Sequence, residues 1–399
     1  MTTTIDNEQK TLNVPNLRFP EFEGEWQEER LSDIADLSKG IGISKDQLSA
    51  DGEPCILYGE LYTKYKSETI KEVISKTNID NTKLVKSKAN DVIIPCSGET
   101  AEEIATARCV LKDDILLGGD LNIIRLHRYD GSFMSYQLNG KRKYDIAKVA
   151  QGVSVVHLYG EHLKNIKTIN PSLNEQKKIA NLLSLLDERI STQNKIIEDL
   201  KKLRSAIIER EYTFKVQTHS HIGDFIEQKS NRNKDNIIQN VLSVSNHQGF
   251  IRQREQFEDR SIASDDTSNY KIVARNDFAF NPARINVGSI ARLTTFEKGI
   301  VSPMYICFHT KNSILPEYLS FYFETKQFFS EIQKRLEGSV RQCLSYEGLC
   351  NIPLFPPVIE DQRRIGKRLF TLVQKFNLEM TFLEMLQKQK TYLLRQMFI

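Results

Sequence analysis

The sequence contains a long internal repeat, and this repeat constrains the fold more than any other feature. Shifting the chain against itself by 186 residues aligns Gly152–Thr213 with Gly338–Ile399 without a gap, and 14 of the 62 positions are identical. The match is clearest where "PSLNEQKKIANLL" begins at Pro171 and "PVIEDQRRIGKRL" begins at Pro357. A duplication of this length predicts a chain built from two similar halves.

Each copy of the repeat contains a long segment with the apolar spacing of a coiled coil. Glu175–Glu211 runs for 37 residues without proline or glycine, which corresponds to about 55 Å of helix at about 1.5 Å per residue. Apolar residues recur at steps of three and four, the spacing of a coiled-coil seam. The seam residues are Ile179, Leu183, Leu186, Ile190, Ile197, Leu200 and Ile207 in the first copy, and Ile365, Leu369, Leu372, Phe376, Leu383, Leu386 and Leu393 in the second. We predict that the two helices pair as an antiparallel coiled coil, and the alternative is that each is a core helix of its own domain.

Two seam positions are polar in both copies. Gln193 matches Glu379, and Arg204 matches Lys390. Polar residues at such positions fix the register of a coiled coil at some loss of stability. Antiparallel pairing would bring Gln193 and Glu379 near each other and would relate the two copies by an approximate two-fold axis.

The segments between the helices predict two globular domains that share one plan. Short apolar runs predict strands, namely "EPCILYGEL", "NDVIIPC", "ARCVLKD" and "NIIRLHR" in the first domain and "NVLSVSN", "NDFAFNP", "ARLTTFE" and "MYICFHT" in the second. One helix then follows in each domain and ends at Gly152 or Gly338. The fold class is therefore α/β (mixed α+β). The predicted organisation is a flexible arm (1–16), a globular domain (17–170), a helix (171–213), a second globular domain (214–356) and a second helix (357–399).

Composition excludes several classes of protein. The net charge is only +3, which leaves room for local basic surfaces but not for a histone-like tail. No apolar run is long enough to span a membrane, and the first residues do not form a signal peptide. The six cysteines are scattered without a Cys-x-x-Cys pair, so we expect free thiols in a reducing environment. These features predict a cytoplasmic protein that contacts no membrane.

The sequence shows no catalytic motif. It has neither a phosphate-binding Gly-x-x-x-x-Gly-Lys-Ser/Thr loop nor a Gly-x-Gly-x-x-Gly turn. Its seven histidines do not have the spacing of metal ligands. We therefore expect that the chain is not an enzyme and binds no metal.

Both globular domains carry side chains suited to nucleic acid in their loops. Arginine reads guanine, asparagine and glutamine read adenine, and lysine and arginine hold phosphate. The candidates are Lys39, Lys45, Tyr58, Tyr62 and Lys64 in the first domain, and Arg232, His247, Gln248, Arg252, Arg254 and Arg284 in the second. Any one of these clusters could instead be a solvated face. Their matching places in both domains favour binding.

The whole pattern resembles a known family. Two unlike globular domains are joined by two similar helical segments, and the Gly…Leu…Asn-Ile…Pro…Glu/Asp-Gln…Ile junction occurs at 152–179 and again at 338–365. The chain opens with "NVPNLRFPEFEGEWQEERLSDIADLSKG" and closes with "LLRQMFI". This arrangement is similar to the specificity subunit of a Type I restriction–modification enzyme. The second junction departs slightly, since Pro353 and Pro356 stand where the first copy has "KTIN", and Pro356 forms a pair with Pro357.

The resemblance implies a non-catalytic subunit with two target-recognition domains, each reading half of a split sequence in double-stranded DNA. It implies that the helices set the gap and dock two methyltransferase subunits, which two restriction (motor and nuclease) subunits can join. S-adenosylmethionine, ATP and magnesium would then be used by those partner subunits, with no cofactor bound by this chain. The alternatives are a coiled-coil adaptor whose two globular domains bind proteins, and an enzyme with a hidden nuclease or methylase site.

Overall fold

The chain divides into two compact units. The structure is a computed structural model, and it describes residues 13–152, 155–213, 220–246, 248–253, 266–338 and 342–399. The first unit comprises Met1–Lys195 with Thr381–Ile399, and the second unit comprises Ile196–Met380. The division passes through both long helices. The predicted domain boundaries stay predictions, and most of the predicted arm lies outside the described residues.

The first unit is a mixed α/β fold. Its strands are β1 (Gln27–Arg30), β2 (Ala35–Lys39), β3 (Leu48–Ser49), β4 (Glu53–Ile56), β5 (Thr69–Ile70), β6 (Ser75–Thr77), β7 (Val85–Lys86), β8 (Asp91–Pro95), β9 (Ser97–Gly98), β10 (Arg108–Val110), β11 (Leu116–Leu117), β12 (Leu121–Leu126), β13 (Val156–His157) and β14 (Lys167–Asn170). Its short helices are α1 (Leu31–Ile34), α2 (Glu60–Thr63), α3 (Ala101–Ile104), α4 (Gly131–Asn139), α5 (Lys143–Val149) and α6 (Gly160–Lys164). Strand β8 lies in the middle of the sheet β2-β12-β8-β10-β5. Its Val92, Ile93 and Ile94 are buried, as expected for a strand that is covered on both faces.

The second unit contains the same kinds of element. Its strands are β15 (Ile226–Lys229), β16 (Val241–Ser245), β17 (Gly249–Arg252), β18 (Lys271–Ala274), β19 (Phe278–Phe280), β20 (Ile290–Arg292), β21 (Lys298–Val301) and β22 (Ile306–Thr310). Its short helices are α8 (Ile222–Phe225), α9 (Pro316–Tyr322), α10 (Lys326–Gln333) and α11 (Tyr346–Cys350). The long helices shared between the units are α7 (Leu173–Glu211) and α12 (Ile359–Gln396).

The two units share their sheet topology. One sheet has the order β2-β12-β8-β10-β5 in the first unit, and its counterpart has the order β15-β22-β19-β20 in the second. The other sheet contains β4-β11-β7, which corresponds to β16-β21-β18. In both units the first pair of this trio is parallel and the second pair is antiparallel. The duplication read from the sequence is therefore a duplication of fold.

Residues that are identical in the two copies hold the same structural positions. Leu158, Leu163 and Ile166 are buried in the first unit, and so are their counterparts Leu344, Leu349 and Ile352 in the second. Asn90 and Asn276 both adopt a positive φ, 86° and 72°, in the left-handed region that asparagine tolerates better than most residues. Each asparagine is followed by an aspartate, Asp91 or Asp277. The side chain of this aspartate accepts a hydrogen bond from the backbone N–H of the residue three positions earlier.

Within each unit the two long helices pack antiparallel. In the first unit, Ile179 and Leu183 from the start of α7 share a core with Met397 and Phe398 from the end of α12. In the second unit, Ile207 and Ile208 from the end of α7 share a core with Ile365 and Leu369 from the start of α12. All fourteen predicted seam residues are buried or partly buried. The structure thus confirms antiparallel pairing in each unit, while the predicted two-fold axis and the meeting of Gln193 with Glu379 stay predictions.

One buried glutamine attaches each long helix to its globular part. The Gln176 side chain accepts a hydrogen bond from the Asp130 backbone N–H, 2.9 Å away, and donates to the Pro171 carbonyl at 2.8 Å. Gln362 does the same with the Leu315 N–H and the Pro357 carbonyl, both at 2.8 Å. Asp130 and Leu315 are the N-cap residues of α4 and α9. The repeated Pro…Gln motif therefore links the start of each long helix, α7 or α12, to the start of a short helix, α4 or α9.

The prediction of one helix after the strands was wrong in both units, because each has two. In the first unit the break is at Gly140, whose backbone N–H closes α4 and where a Cβ would lie 3.1 Å from the Tyr136 carbonyl oxygen. In the second unit the break is at Thr325, whose hydroxyl accepts a hydrogen bond from the Phe328 N–H and so begins α10. Such a side-chain cap starts a new helix by satisfying an N–H that the helix itself leaves unpaired.

Lys390, a polar seam residue, is the centre of a buried ionic cluster in the first unit. Its ammonium lies 2.6 Å from the Glu68 carboxylate and 2.6 Å from the Asp187 carboxylate. The Tyr136 hydroxyl donates to Asp187 at 2.8 Å. Burial raises the pKa of Glu68, although the Lys390 charge opposes this shift. Lys390 therefore joins the end of α12 both to α7 and to the globular part of the unit.

We predict that Lys390→Met destabilises the chain by about 3–5 kcal/mol, because it leaves two buried carboxylates without their cation. Glu68→Gln in the same background should recover part of the loss. A carboxyl whose folded pKa lies above its unfolded value makes the folded state more stable as pH falls, so the deficit should shrink between pH 7 and pH 5. Urea unfolding at both pH values measures this. An equal deficit at pH 7 and pH 5 would contradict the assigned role of the carboxylates.

Candidate nucleic-acid interface

In the first unit, the segment after β4 lies against the loop after β8. The Tyr62 hydroxyl donates to the Ser97 carbonyl at 3.2 Å, and a Cβ on Gly98 would lie 3.1 Å from the Tyr62 oxygen. Tyr58, which stands between β4 and α2, is 38% exposed. We call the surface formed by residues 57–64 and 96–104 the first readout surface.

In the second unit, the equivalent segments also meet. The turn between β16 and β17 lies against the loop between β19 and β20, since a Cβ on Gly288 would be 4.0 Å from the Asn246 Cβ. The Ser289 hydroxyl donates to the Val244 carbonyl at 3.2 Å. Gln248 is exposed in this turn and Arg284 is exposed in this loop. We call the surface formed by residues 245–249 and 281–289, without the undescribed His247, the second readout surface.

Both surfaces arise from the shared topology. The turn that follows β4 or β16 adjoins the loop that follows β8 or β19, and the sheets around these strands have the same order. The side chains differ, with tyrosines on the first surface and amide and arginine side chains on the second. A common scaffold with different loop residues is suited to binding two different sequences.

Lys39 lies in an aromatic cluster that the sequence did not reveal. Its ammonium lies 5.6 Å from the centre of the Tyr159 ring. His157 stacks on Tyr159 at 6.2 Å, and His162 meets the same ring edge-on at 5.7 Å. Strand β13, which includes His157, pairs with β9 of the first readout surface. Tyr159 is 45% exposed, so the cluster extends this surface with a ring on which a base can stack.

Two of the predicted residues in the first unit have structural partners. The Lys64 ammonium lies 2.6 Å from the Glu60 carboxylate and donates to the Ser75 hydroxyl at 2.7 Å. The Glu60 carboxylate also accepts from the Leu57 backbone N–H at 3.0 Å. Tyr62 is partly buried, and burial raises the pKa of its hydroxyl. Lys64 and Tyr62 therefore support the turn, while Tyr58 and Lys45 are exposed.

The predicted arginines of the second unit lie at different edges. Arg232 adjoins Lys271 of β18 and donates to the Asn269 side chain at 2.9 Å. Arg252 ends β17 and lies 5.6 Å from the centre of the Phe296 ring. Strands β17 and β18 are opposite edges of one sheet, so the structure does not bring Arg232 to the second readout surface. His247 and Arg254 lie outside the described residues.

Four of the six cysteines are buried in the described part of the chain. The cysteines are free, and burial raises the pKa of Cys55 and Cys96 to about 11 and of Cys109 and Cys307 to about 12. Those thiols are therefore protonated near neutral pH. No group of three or more His, Cys, Asp or Glu side chains in this part of the chain could hold a metal ion. Among the same residues, no helix is both long and apolar enough to cross a membrane.

Comparison with known proteins agrees with this architecture. Residues 23–202 match the family described as the type I restriction modification DNA specificity domain. The chain is 28% identical over 226 residues to the type I restriction enzyme MjaVIII specificity subunit of Methanocaldococcus jannaschii. That alignment covers 55% of this chain and 50% of the relative, so it spans about half the length of the relative.

The fold is shared with solved structures of the same class. The specificity subunit of a type I restriction–modification system from M. genitalium superposes with a TM-score of 0.62 at 18% identity, covering 97% of this chain and 99% of that one. A chain from a study of complex assembly in the type I system superposes with a TM-score of 0.51 at 14% identity, covering 94% and 97%. The fold is thus that of a two-domain specificity subunit. These matches confirm the resemblance to type I restriction–modification specificity subunits that the sequence predicted.

We predict that the two readout surfaces act on separate half-sites. Gln248→Ala should weaken discrimination at one half-site only, by about 1–3 kcal/mol for a lost bidentate contact, and Tyr58→Ala should act only on the other. Competition binding with duplexes altered in one half-site measures this. Gln374→Ala, at an exposed position of α12 in the second unit, is the matched control. Equal losses at both half-sites from either variant would contradict the assignment.

Proposed function

We propose that this chain reads a bipartite DNA target, with one half-site for each unit. The observation that carries the proposal is the pair of readout surfaces, which have the same place in the topology but different side chains. The relatives are type I specificity subunits, which agrees with a DNA ligand. Lys39 lies beside Tyr159, Arg284 lies in the β19–β20 loop, and both are exposed cations. They are suited to phosphate contacts that position the bases.

We propose further that the long helices dock methyltransferase subunits. In the first unit, α7 and α12 form a groove of about 690 Å³ whose apolar residues include Leu182, Leu185 and Phe382. Leu185 is 51% exposed and Phe382 is 37% exposed. A contiguous exposed apolar patch is typical of a protein-binding surface. In the second unit, Phe370 and Leu378 on α12 are also exposed, which would serve a second copy of the same partner.

The chemistry would belong to the partners. Methyltransferase subunits would use S-adenosylmethionine to modify adenine, and two restriction subunits would use ATP and magnesium. This chain would supply binding and orientation through its readout surfaces and helices, with no reacting group of its own.

The test of the DNA-reading proposal is a map of methylated adenines in cells that carry this chain with its methyltransferase. The expected target has two defined half-sites separated by a gap of unspecified sequence. Binding of the purified complex to duplex DNA should also weaken steeply between 50 mM and 200 mM salt, because phosphate contacts release counterions. A map without a two-part site, together with salt-independent binding, would contradict the proposal and favour a protein-binding adaptor.

We predict that Leu185→Asp and Phe382→Asp weaken association with the methyltransferase subunit about ten-fold or more, since each places a charge at the centre of an apolar contact. Co-purification and calorimetric titration measure this. Tyr144→Asp is the matched control, because Tyr144 is 68% exposed on another helix of the same unit. If all three variants bind the methyltransferase equally well, the groove is not its docking site.

A further inference from the structure

A cluster of lysines lies on and beside helix α5 in the first unit. Lys141 and Lys148 are exposed and Lys143 is partly exposed, and we call these three residues the α5 patch. Tyr144, in the same segment, is 68% exposed, and the Lys148 ammonium lies 4.3 Å from the centre of its ring. The stretch "GKRKYDIAK" therefore presents positive charge and an aromatic ring together.

The α5 patch is not neutralised by the acidic residue of its own segment. That residue, Asp145, pairs with Arg142. Within the residues that the structure describes, none of the three lysines of the patch forms an ion pair. The patch therefore retains three unpaired positive charges.

Helix α5 packs against α3, which belongs to the first readout surface. Ile146 from α5 and Ile104 from α3 are fully buried in the same hydrophobic core. The Asn139 side chain holds the turn that precedes the patch, since its amide nitrogen donates to the Ala107 carbonyl at 2.8 Å and its oxygen accepts from the Ala107 N–H at 2.7 Å. Ala107 comes shortly after α3 in the chain. The α5 patch therefore lies on a helix that borders the first readout surface.

The first readout surface is acidic, so it needs cations from a neighbouring element if it is to approach DNA. Its residues Glu99, Glu102 and Glu103 are exposed and form no ion pair within the described ranges. Its one lysine, Lys64, is paired with Glu60. Unpaired carboxylates repel the phosphates of a duplex. The α5 patch supplies three cations on the adjacent helix.

In the second unit, the cations at the matching place are neutralised. Glu331 of helix α10 pairs with both Lys334 and Arg335, and Lys334 stands 186 residues after Lys148. The second readout surface contains no acidic residue and has its own exposed cation, Arg284. It therefore needs no cations from α10. Unpaired lysines thus accompany the acidic readout surface and not the other one.

We propose that the α5 patch binds backbone phosphates of the duplex beside the half-site read by the first unit. The inference rests on the proposed function and deepens it by assigning these contacts to Lys141, Lys143 and Lys148. A lysine ammonium binds phosphate as a point charge and reads no base. The contacts would hold the duplex against a readout surface whose own carboxylates repel it.

The first experiment combines Lys141→Gln, Lys143→Gln and Lys148→Gln and uses the complex of the full chain with its methyltransferase. The slope of log affinity against log salt should fall in magnitude by about 2.7, at about 0.9 for each phosphate contact. The order of preference among half-site sequences should stay the same, because phosphates carry no sequence information. Replacement of the same three lysines by arginine keeps the charges and should keep the slope. An unchanged slope in the glutamine variant, with normal DNA binding, would overturn the proposal and leave the proposed function intact.

The matched control combines Lys83→Gln, Lys88→Gln and Lys112→Gln, which removes the same charge from exposed positions of the same unit. Lys88 comes shortly before β8, and the Ser87 hydroxyl donates to the Lys112 carbonyl at 2.7 Å. Lys88 and Lys112 therefore lie near the start of β8, whereas the first readout surface includes the loop after its end. The control variant should keep the slope of the unmodified chain. An equal fall in both variants would overturn the patch, because it would show a general effect of net charge.

The second experiment replaces single phosphates of the mapped target by neutral methylphosphonates. With the unmodified chain, replacements beside the half-site that responds to Tyr58→Ala should each weaken binding about five-fold. The same replacements should have no effect on binding by the glutamine variant. The absence of any sensitive position there would overturn the proposal without relying on a variant that must fold. Positions that stay sensitive in the glutamine variant would assign those phosphates to other residues and would also overturn it.

A third arm separates DNA from an acidic protein surface as the partner of the patch. The glutamine variant is tested for co-purification with the methyltransferase and restriction subunits in the absence of DNA, and no loss of either subunit is expected. Loss of a subunit, together with an unchanged salt slope, would overturn the DNA contact in favour of an acidic protein partner. If the unmodified complex binds no duplex at all, the proposed function itself falls.

Discussion

The fold depends on burying the apolar seam residues of the two long helices. Each long helix carries seam residues over its whole length, and their exposure to water would be unfavourable by about 25 cal/mol per Å². In each unit the start of one long helix is covered by the end of the other. Residues far apart in the chain, such as Leu183 and Met397, must therefore come together before either unit has a complete core. This requirement explains why the seam stays apolar in both copies while most other residues have changed.

Hydrogen bonds at the starts of the two long helices make this packing specific. Gln176 and Gln362 each bond the N-cap residue of a neighbouring helix and the carbonyl of their own helix-opening proline. Because both glutamines are buried, their bonds fix the direction in which the long helix leaves its globular part. Each unit then positions a readout surface by the same strand order. The exposed side chains of these surfaces can differ between the units, whereas their buried residues, such as Ile104 and Ile285, pack into the cores.

Much of this arrangement could be predicted from the sequence, and the reason is physical. The repeat, the seam and the strand-forming runs are encoded by residues close together in the chain, so periodicity reveals them. The helix breaks at Gly140 and Thr325 were missed because the flanking residues continue a helical pattern. The stacking of Lys39 on Tyr159 and the pairing of Lys390 with Glu68 depend on contacts between distant segments, which no local pattern carries. The "HLYGEH" stretch could have indicated the aromatic cluster, since its counterpart "CLSYEG" lacks both histidines.

We propose that two separate readout surfaces share one pair of long helices. Lengthening both helices by one heptad at the division between the units, after Lys195 and after Met380, tests this proposal when the three-and-four spacing of the seam is continued. Each insertion adds about 10 Å of helix, or about 3 base pairs at roughly 3.4 Å each. Methylated adenines are then mapped in cells that carry the altered chain with its methyltransferase. We expect the same two half-sites with a wider gap between them. New half-site bases at an unchanged gap would contradict this arrangement.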